Sequence, residues 1–170
     1  ALWKQETRNP QLTAHEREYP SFSEMWNSFS EGQRTMRLLV AVGLGAAGFS
    51  MQEILLEPYG AQVLGLSVSA TTMLTALFAL GTLLGLAVAS RLLSRGTDPM
   101  RVAGYGVLVG IFAFGAIVYS APIGSAFLFR CGAALIGAGG GLFVVGTMTT
   151  AMAMTRDGNS GIAVGAWSAV

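Results

Sequence analysis

The feature of this sequence that most constrains its fold is a series of long apolar runs separated by short polar segments. A helix of about 20 residues, rising 1.5 Å per residue, crosses a hydrocarbon core of roughly 30 Å. The runs cover residues 38–57, 64–90, 102–121 and 126–154, and a fifth begins at residues 161–170. Only 11% of the residues are charged, against about 25% in a typical soluble domain. We therefore expect a multi-pass membrane protein.

The runs are predicted to be helices because backbone groups in lipid must be hydrogen-bonded within the protein, and continuous apolar runs lack the alternation of barrel strands. The fold class is then all-α, a polytopic transmembrane helix bundle over residues 38–170 that follows a connecting segment at residues 1–37. Turns are predicted at residues 58–60 and 122–125, each of which begins with a proline. Because the chain starts without Met and ends within an apolar run, we expect an internal piece of a longer protein.

Basic residues predict the orientation of the bundle. They lie before the first span, between the second and third spans, and after the fourth, at Lys4, Arg8, Arg17, Arg34, Arg37, Arg91, Arg95, Arg101 and Arg156. The positive-inside rule makes these segments cytoplasmic, including the N-terminal one. The functional candidates in the cytoplasmic loop are Arg91, Arg95 and Asp98.

Apolar residues before the first span have helical spacing. Phe22, Met25, Trp26 and Phe29 lie at i, i+3, i+4 and i+7, which predicts a short amphipathic helix along the cytoplasmic interface. It is either a linker helix or a docking surface for a partner.

Glycines recur four residues apart within the spans. The pairs are Gly81 and Gly85, Gly106 and Gly110, and Gly137 and Gly141. Such spacing lets helix backbones approach closely in a membrane. Tight packing is the first interpretation, and a hinge or a groove for a flat ligand is the alternative.

Ionisable side chains within a membrane are costly and are therefore functional candidates. Glu53 and Glu57 share one helix face beside Gln52, and Arg130 lies at a similar depth in the fourth span. The depths allow an ion pair of Arg130 with either glutamate. Glu57 and Arg130 have interfacial alternatives, because a carboxylate can lie in water and an arginine can extend to the surface. Glu53 is a candidate to take up a proton, bind a cationic group, or ligate the magnesium of a pigment.

Enzyme chemistry has no support in the sequence, which shows no nucleophile–base pair, metal-ligand cluster or phosphate loop. Cys131 has no partner cysteine and is assigned to packing. His15 stands alone in the polar N-terminal segment. We expect no enzyme activity, no metal site and no nucleic-acid partner.

Several motifs carry a family resemblance. They are QEILLEPYG at residues 52–60, LGLSV at 64–68, RGTDP at 95–99, LIGAGGGLF at 135–143 and GAW at 165–167. Over residues 22–170 the chain resembles the PucC/LhaA family, the bacteriochlorophyll-delivery branch of the major facilitator superfamily.

The resemblance implies a twelve-helix fold in two halves, of which this chain is part of the C-terminal half. The family's central cavity would then be lined by the first and fourth spans, which makes Gln52, Glu53, Glu57, Tyr59 and Arg130 candidates to bind substrate or pigment. The implied location is the inner membrane, either the cytoplasmic membrane or the intracytoplasmic photosynthetic membrane.

The function implied by the resemblance is delivery of bacteriochlorophyll to light-harvesting complexes, or assistance with their assembly. Bacteriochlorophyll would be cargo or a bound pigment. The partners would be light-harvesting antenna polypeptides or a reaction-centre antenna complex, together with membrane lipids. The alternatives are a proton-coupled secondary transporter of a small solute and a structural subunit that transports nothing.

Overall fold

The computed structural model describes Ser21, Ser23 and residues 33–154 and 160–169. The main helices are α1 Gln33–Gln62, α2 Val68–Ser94, α3 Pro99–Ile123, α4 Ala126–Met154 and α5 Ser160–Ala169. No strand occurs in the described ranges, and the prediction of an all-α fold is confirmed. The predicted amphipathic helix around Trp26, and His15, lie outside the described residues.

Helices α1 to α4 are long and apolar enough to cross a membrane. Their outward surfaces carry large apolar side chains, among which Ile54, Phe112 and Phe127 are 76%, 74% and 76% exposed. Exposed apolar surface of this extent is a liability in water, whereas in a bilayer it faces lipid. The chain is therefore a multi-pass membrane protein, as predicted.

Helix α4 is the centre of the described bundle. In an apolar stretch of 18 residues within α4, 50% of the residues are buried inside the protein, whereas the corresponding stretch of α1 is 18% buried. It contacts all four other helices, most extensively α2 and α3, whereas α2 and α3 contact each other only slightly. The packing of the bundle therefore depends on α4.

Close backbone approach joins α4 to α2. A Cβ atom on Gly81 or Gly85 of α2 would collide with the carbonyl oxygen of Ala134 or Ala138 of α4, and one on Gly137 would collide with α2 in turn. Small residues at such positions let van der Waals packing hold membrane helices together. The prediction of tight packing is confirmed at this contact.

Glycines also join α3 to α4 and to α1. A Cβ on Gly106 would lie 2.6 Å from the carbonyl oxygen of Gly139, so that α3 also approaches α4 closely. Gly110 instead faces the ring of Phe49 in α1, with 3.0 Å from a Cβ position to Phe49 Cζ. The Gly106 and Gly110 pair therefore serves two different helix contacts.

The turn predicted at residues 58–60 is wrong, because Pro58 lies inside α1. The connection predicted at residues 122–125 is confirmed only in its second half, at residues 124–125, because Pro122 lies inside α3. A proline leaves a carbonyl group unpaired in a helix, but in membrane helices neighbouring groups and small backbone adjustments can satisfy it. The connection after α1 lies further along the chain, at residues 63–67.

A glycine with positive φ ends α3. Gly124 follows α3 with φ 64°, and its N–H donates to the carbonyl oxygen of Ala121 at 3.0 Å. Ser125 donates its backbone N–H to the carbonyl oxygen of Ser120, also at 3.0 Å. This pair of hydrogen bonds is a Schellman ending, and it reverses the chain within two residues.

Candidate functional site

An open groove of about 570 Å³ lies between α1, α2, α4 and α5. This volume falls within the range of roughly 300 to 1,000 Å³ typical of small-molecule sites. Its lining is mostly apolar and includes four aromatic side chains, Phe49, Phe78, Phe143 and Trp167. The groove therefore favours a large apolar ligand over a small polar one.

One wall of the groove is formed where α1 crosses α4. The rings of Phe49 and Phe143 lie 5.7 Å apart between centroids and are tilted by 38°, a geometry in the favourable range for aromatic pairs. A Cβ atom on Gly45 of α1 would collide with the Phe143 ring. The missing side chain at Gly45 thus leaves the space that Phe143 fills.

Gln52 lies at the junction of two cavities. It lines the groove and also a smaller cavity of about 280 Å³, which Leu56, Glu57, Leu74, Thr75 and Phe78 complete. Gln52 is only 5% exposed. Among the described side chains, none is a hydrogen-bond partner of its amide. A ligand in either cavity would therefore meet a buried amide group that is free to bind it.

Glu57 and Arg130 form no ion pair within the described part of the chain. Glu57 is exposed and accepts a hydrogen bond from Thr75 Oγ1 at 3.1 Å, across the α1–α2 contact. Arg130 is partly buried in α4, and its Nε has no hydrogen-bond partner among the described groups. The side chain of Glu53 lies outside the described part, so the proposed pair of Glu53 with Arg130 stays a prediction.

Tyr59 packs against α4. Its ring stacks on Phe129 with 5.8 Å between centroids and 28° between planes, and Phe129 is fully buried. Tyr59 is not among the residues that line either cavity. In this structure its contacts hold the end of α1 against α4.

Trp167 is the groove residue that sequence reasoning missed. Its indole Nε1–H donates to Thr147 Oγ1 at 3.1 Å, and the buried Thr147 hydroxyl donates to the carbonyl oxygen of Phe143 at 2.8 Å. These bonds fasten α5 to α4 at the groove. The sequence did contain a signal. A buried tryptophan needs a hydrogen-bond acceptor, and the hydroxyl residues of α4 are candidates for that acceptor.

The loop between α2 and α3 is a compact pair of helix caps. Gly96 has φ 82° and its N–H donates to the carbonyl oxygen of Leu93 at 2.9 Å. The Asp98 carboxylate accepts the N–H of Met100 at 2.8 Å, at the start of α3. Arg91 and Arg95 are exposed. Asp98 therefore has a structural role, and the two arginines are free to contact a surface outside the bundle.

Metal-binding chemistry has no cluster to support it in the described ranges, where no group of three or more His, Cys, Asp and Glu side chains could hold an ion. Cys131 is a partly buried thiol of α4 without a disulfide. The candidate site thus consists of the groove, the smaller cavity and the Gln52 amide between them.

Comparison with known proteins identifies the family. A family model described as PUCC protein matches residues 1–170. A protein named Protein PucC from Rhodovulum sulfidophilum is 48% identical over 174 residues, which cover 100% of this chain and 38% of that relative. Another Protein PucC, from Cereibacter sphaeroides, is 41% identical over 170 residues, with 100% and 37% covered.

A further relative is called an uncharacterized protein in the puhA-bchM intergenic region of Rhodobacter capsulatus. It is 50% identical over 171 residues, covering 99% of this chain and 36% of the relative. The chain thus spans little more than a third of the length of these relatives. No solved structure matches it. Because the family model covers the whole chain and three relatives share at least 41% of its residues, the chain belongs to the PUCC protein family.

Proposed function

We propose that the protein to which this chain belongs is a membrane assembly factor of the photosynthetic apparatus, which delivers bacteriochlorophyll to light-harvesting complexes or assists their assembly. The observation that carries the proposal is the aromatic groove between α1, α2, α4 and α5, with its one buried amide. Family membership supports the same conclusion.

The lining of the groove suits a chlorin pigment. Such a pigment is a flat apolar ring with a central magnesium, and flat rings pack favourably against aromatic side chains. Phe49, Phe78, Phe143 and Trp167 provide those side chains. Magnesium prefers oxygen ligands, and Gln52 provides one at the end of the groove. The pigment is cargo in this proposal, and the protein contributes binding and orientation, with no enzymatic step.

The outer surface supplies the contacts with partners. We propose that single-span antenna polypeptides, or a reaction-centre antenna complex, pack against the lipid-facing helices of the full-length protein in the inner or intracytoplasmic photosynthetic membrane. The chain would be part of the C-terminal half of a major-facilitator fold, with its N-terminal segment and the exposed Arg91 and Arg95 on the cytoplasmic side.

The first test is an absorption spectrum of the full-length protein, gently purified from its native membrane, with mass spectrometry of the proteins that accompany it. We expect bacteriochlorophyll bands and antenna polypeptides. A colourless protein without such partners would contradict the proposal.

A groove-filling variant sharpens this test. A Cβ on Gly140 would lie 3.6 Å from the Phe49 ring, which is an ordinary contact, so Gly140→Leu fills the groove without a backbone collision. The control is Gly115→Leu in α3, where an added Cβ meets no atom within 4 Å. Pigment should be lost from the first variant and retained by the second.

A proton-coupled transporter of a small solute is the second candidate. The smaller cavity favours it, because Gln52, Glu57 and Thr75 give that cavity of about 280 Å³ a polar side. In this alternative Glu53 is the protonatable group, as membrane carboxylates often are in transporters. Solute uptake by vesicles that contain the full-length protein, abolished by Glu53→Gln, would favour transport. Stoichiometric retention in the mature antenna complex would instead identify a structural subunit.

A further inference from the structure

We infer that Gln52 ligates the central magnesium of the pigment through its amide oxygen. This inference rests on the proposed function, and it specifies which atom of the chain recognises the metal-bearing pigment.

Gln52 is only 5% exposed, and none of the described residues forms a hydrogen bond with its amide. The amide atoms are not fully enclosed, because the one enclosed side-chain N or O atom without a partner in the described ranges is Arg130 Nε. The position of Gln52 on the lining of both cavities means that a bound molecule can supply the missing interaction. The arrangement is that of a binding group, whereas a leucine of similar size would serve packing alone.

The other polar groups of the groove are engaged or exposed. Thr82 donates its hydroxyl to the carbonyl oxygen of Phe78 at 3.0 Å, and Ser168 donates to that of Gly165 at 2.9 Å. Ser50 and Ser168 are exposed at the rim. Gln52 is therefore the buried polar side chain of the groove that remains available to a ligand.

The chemistry of an amide oxygen matches a magnesium held in a ring. Magnesium takes oxygen ligands, including amide carbonyls, and the amide oxygen has two lone pairs to offer. The ring already balances the charge of the metal, so a neutral ligand suffices. A neutral amide also avoids the desolvation penalty of a carboxylate in apolar surroundings.

The aromatic lining places the ring beside this ligand. Helix α1 rises about 15 Å from Val42 to Gln52 at 1.5 Å per residue, and both residues line the groove. Phe49 is three positions before Gln52, so the two lie on one face of α1. A flat ring in the groove would therefore contact Phe49 and have the Gln52 amide within the same binding surface.

The test compares two pigments on the full-length protein, purified and freed of pigment. Bacteriochlorophyll and its magnesium-free form are titrated in detergent against the wild-type protein, Gln52→Leu and the control Gln62→Leu, which changes an exposed glutamine of the same helix. We expect Gln52→Leu to weaken binding of the magnesium pigment by about tenfold or more. Binding of the magnesium-free pigment should change by less than about twofold, and Gln62→Leu should leave both affinities unchanged.

A second readout guards against a folding defect. The thermal unfolding of Gln52→Leu should match that of the wild type, because leucine keeps a side chain of similar size and no hydrogen bond to a described residue is lost. The visible band of bacteriochlorophyll that responds to magnesium coordination should also shift between wild type and Gln52→Leu.

The outcomes separate this inference from the proposed function. Equal losses for the two pigments would overturn magnesium ligation, as would unchanged binding of both; in each case the wild-type protein still binds pigment and the proposed function stands. A wild-type protein that binds neither pigment would overturn the proposed function, and the ligation with it.

Discussion

Single glycines determine how closely the helices approach one another. At Gly81 the carbonyl oxygen of Ala134 occupies the place where a side chain would begin, whereas at Gly104 an added Cβ meets no atom within 4 Å. The two glycines lie in helices that are consecutive in the chain and similar in composition. Their tolerance of a methyl group should therefore differ sharply.

We predict that Gly81→Ala destabilises the bundle by about 1 to 3 kcal/mol, the usual cost of overpacking. Gly104→Ala should be neutral or slightly stabilising, because alanine is the better helix former by about 1 kcal/mol. Both effects are measured by heating the variants in detergent and monitoring unfolding as the loss of monodispersity. Equal unfolding temperatures for the two variants would contradict the close α2–α4 contact.

The hydrogen bond between Trp167 and Thr147 should be measurable as a coupling free energy. Trp167→Phe keeps an aromatic ring and removes the N–H donor, and Thr147→Val removes the acceptor. A neutral hydrogen bond contributes about 0.5 to 1.5 kcal/mol, so we expect a coupling of this size in a double-mutant cycle. The same cycle with Thr149→Val, whose hydroxyl donates to the carbonyl oxygen of Val145, should give no coupling.

The sequence predicts how deep a side chain lies in the membrane, but it does not predict which neighbouring helix that side chain contacts. Glu57 and Arg130 were correctly recognised as charged groups within apolar runs, yet the structure gives Glu57 a partner in Thr75 of α2. Tyr59 packs on Phe129 and not in a cavity. Sequence spacing fixes which residues share a face of one helix, but the rotation of that helix against its neighbours depends on packing across the whole bundle.

At the scale of elements, two residues fix the start of α3: Asp98 caps the helix and Pro99 is its first residue. Asp98 accepts the N–H groups of Met100 and Arg101 at 2.8 and 3.4 Å, and Pro99 occupies the first helical position. Proline suits this position because its fixed φ is already helical and no N–H is lost. The start of α3 is therefore fixed by local chemistry.

We predict that Asp98→Ala destabilises the protein by about 0.5 to 2 kcal/mol, the cost of removing an N-cap acceptor. Asp98→Asn keeps the acceptor and should remain within a few tenths of a kcal/mol of the wild type. Hydrogen exchange at the first turn of α3 should quicken in the alanine variant only. Identical exchange in the two variants would mean that the cap contributes nothing.

The helices themselves were predictable, because long apolar runs are a strong signal. Their ends were less so, and both differences involve proline: α1 continues through the turn predicted at residues 58–60, and α3 includes the first two residues of the connection predicted at residues 122–125. Proline leaves one carbonyl group without its hydrogen bond and usually ends a helix in water, but Pro58 and Pro122 lie inside α1 and α3. A single apolar sequence does not reveal which neighbouring groups satisfy that carbonyl, and the glycine at the true ending is the better guide.

At the scale of the whole molecule, the connections alternate between two ends of the bundle. The Arg95 to Asp98 connection lies at one end and the connections at residues 63–67 and 124–125 lie at the other if α2 and α3 cross the membrane. The arginines at the first end predict that it is cytoplasmic.

Cysteine labelling in intact cells tests this orientation. In a full-length Cys131→Ala background, with any other cysteines removed, Gln62→Cys should react with a membrane-impermeant maleimide added outside the inner membrane. Thr97→Cys should react only after that membrane is opened. The reverse pattern would contradict the cytoplasmic assignment of the Arg91 and Arg95 loop.

Membership of the family was predictable from the motifs, whereas the position and the walls of the groove were not. Its walls come from four helices, and the residues that shape it, such as Gly45, Phe143 and Trp167, look like ordinary members of apolar runs. They differ from other apolar residues only because the fold brings them together at the groove. The central role of α4 was likewise hidden, since its composition differs little from that of α2 and α3.

The central position of α4 has a consequence for the order of events during synthesis. Helices α2 and α3 are made first and are joined by a short loop, but they barely touch each other and pack mainly on α4. At roughly 5 to 20 residues per second, the ribosome needs on the order of seconds to add α4 after α3. For that interval the glycines of α2 and α3 that pack on α4 lack this partner, and a nascent chain truncated before Ala126 should remain a substrate for membrane proteases.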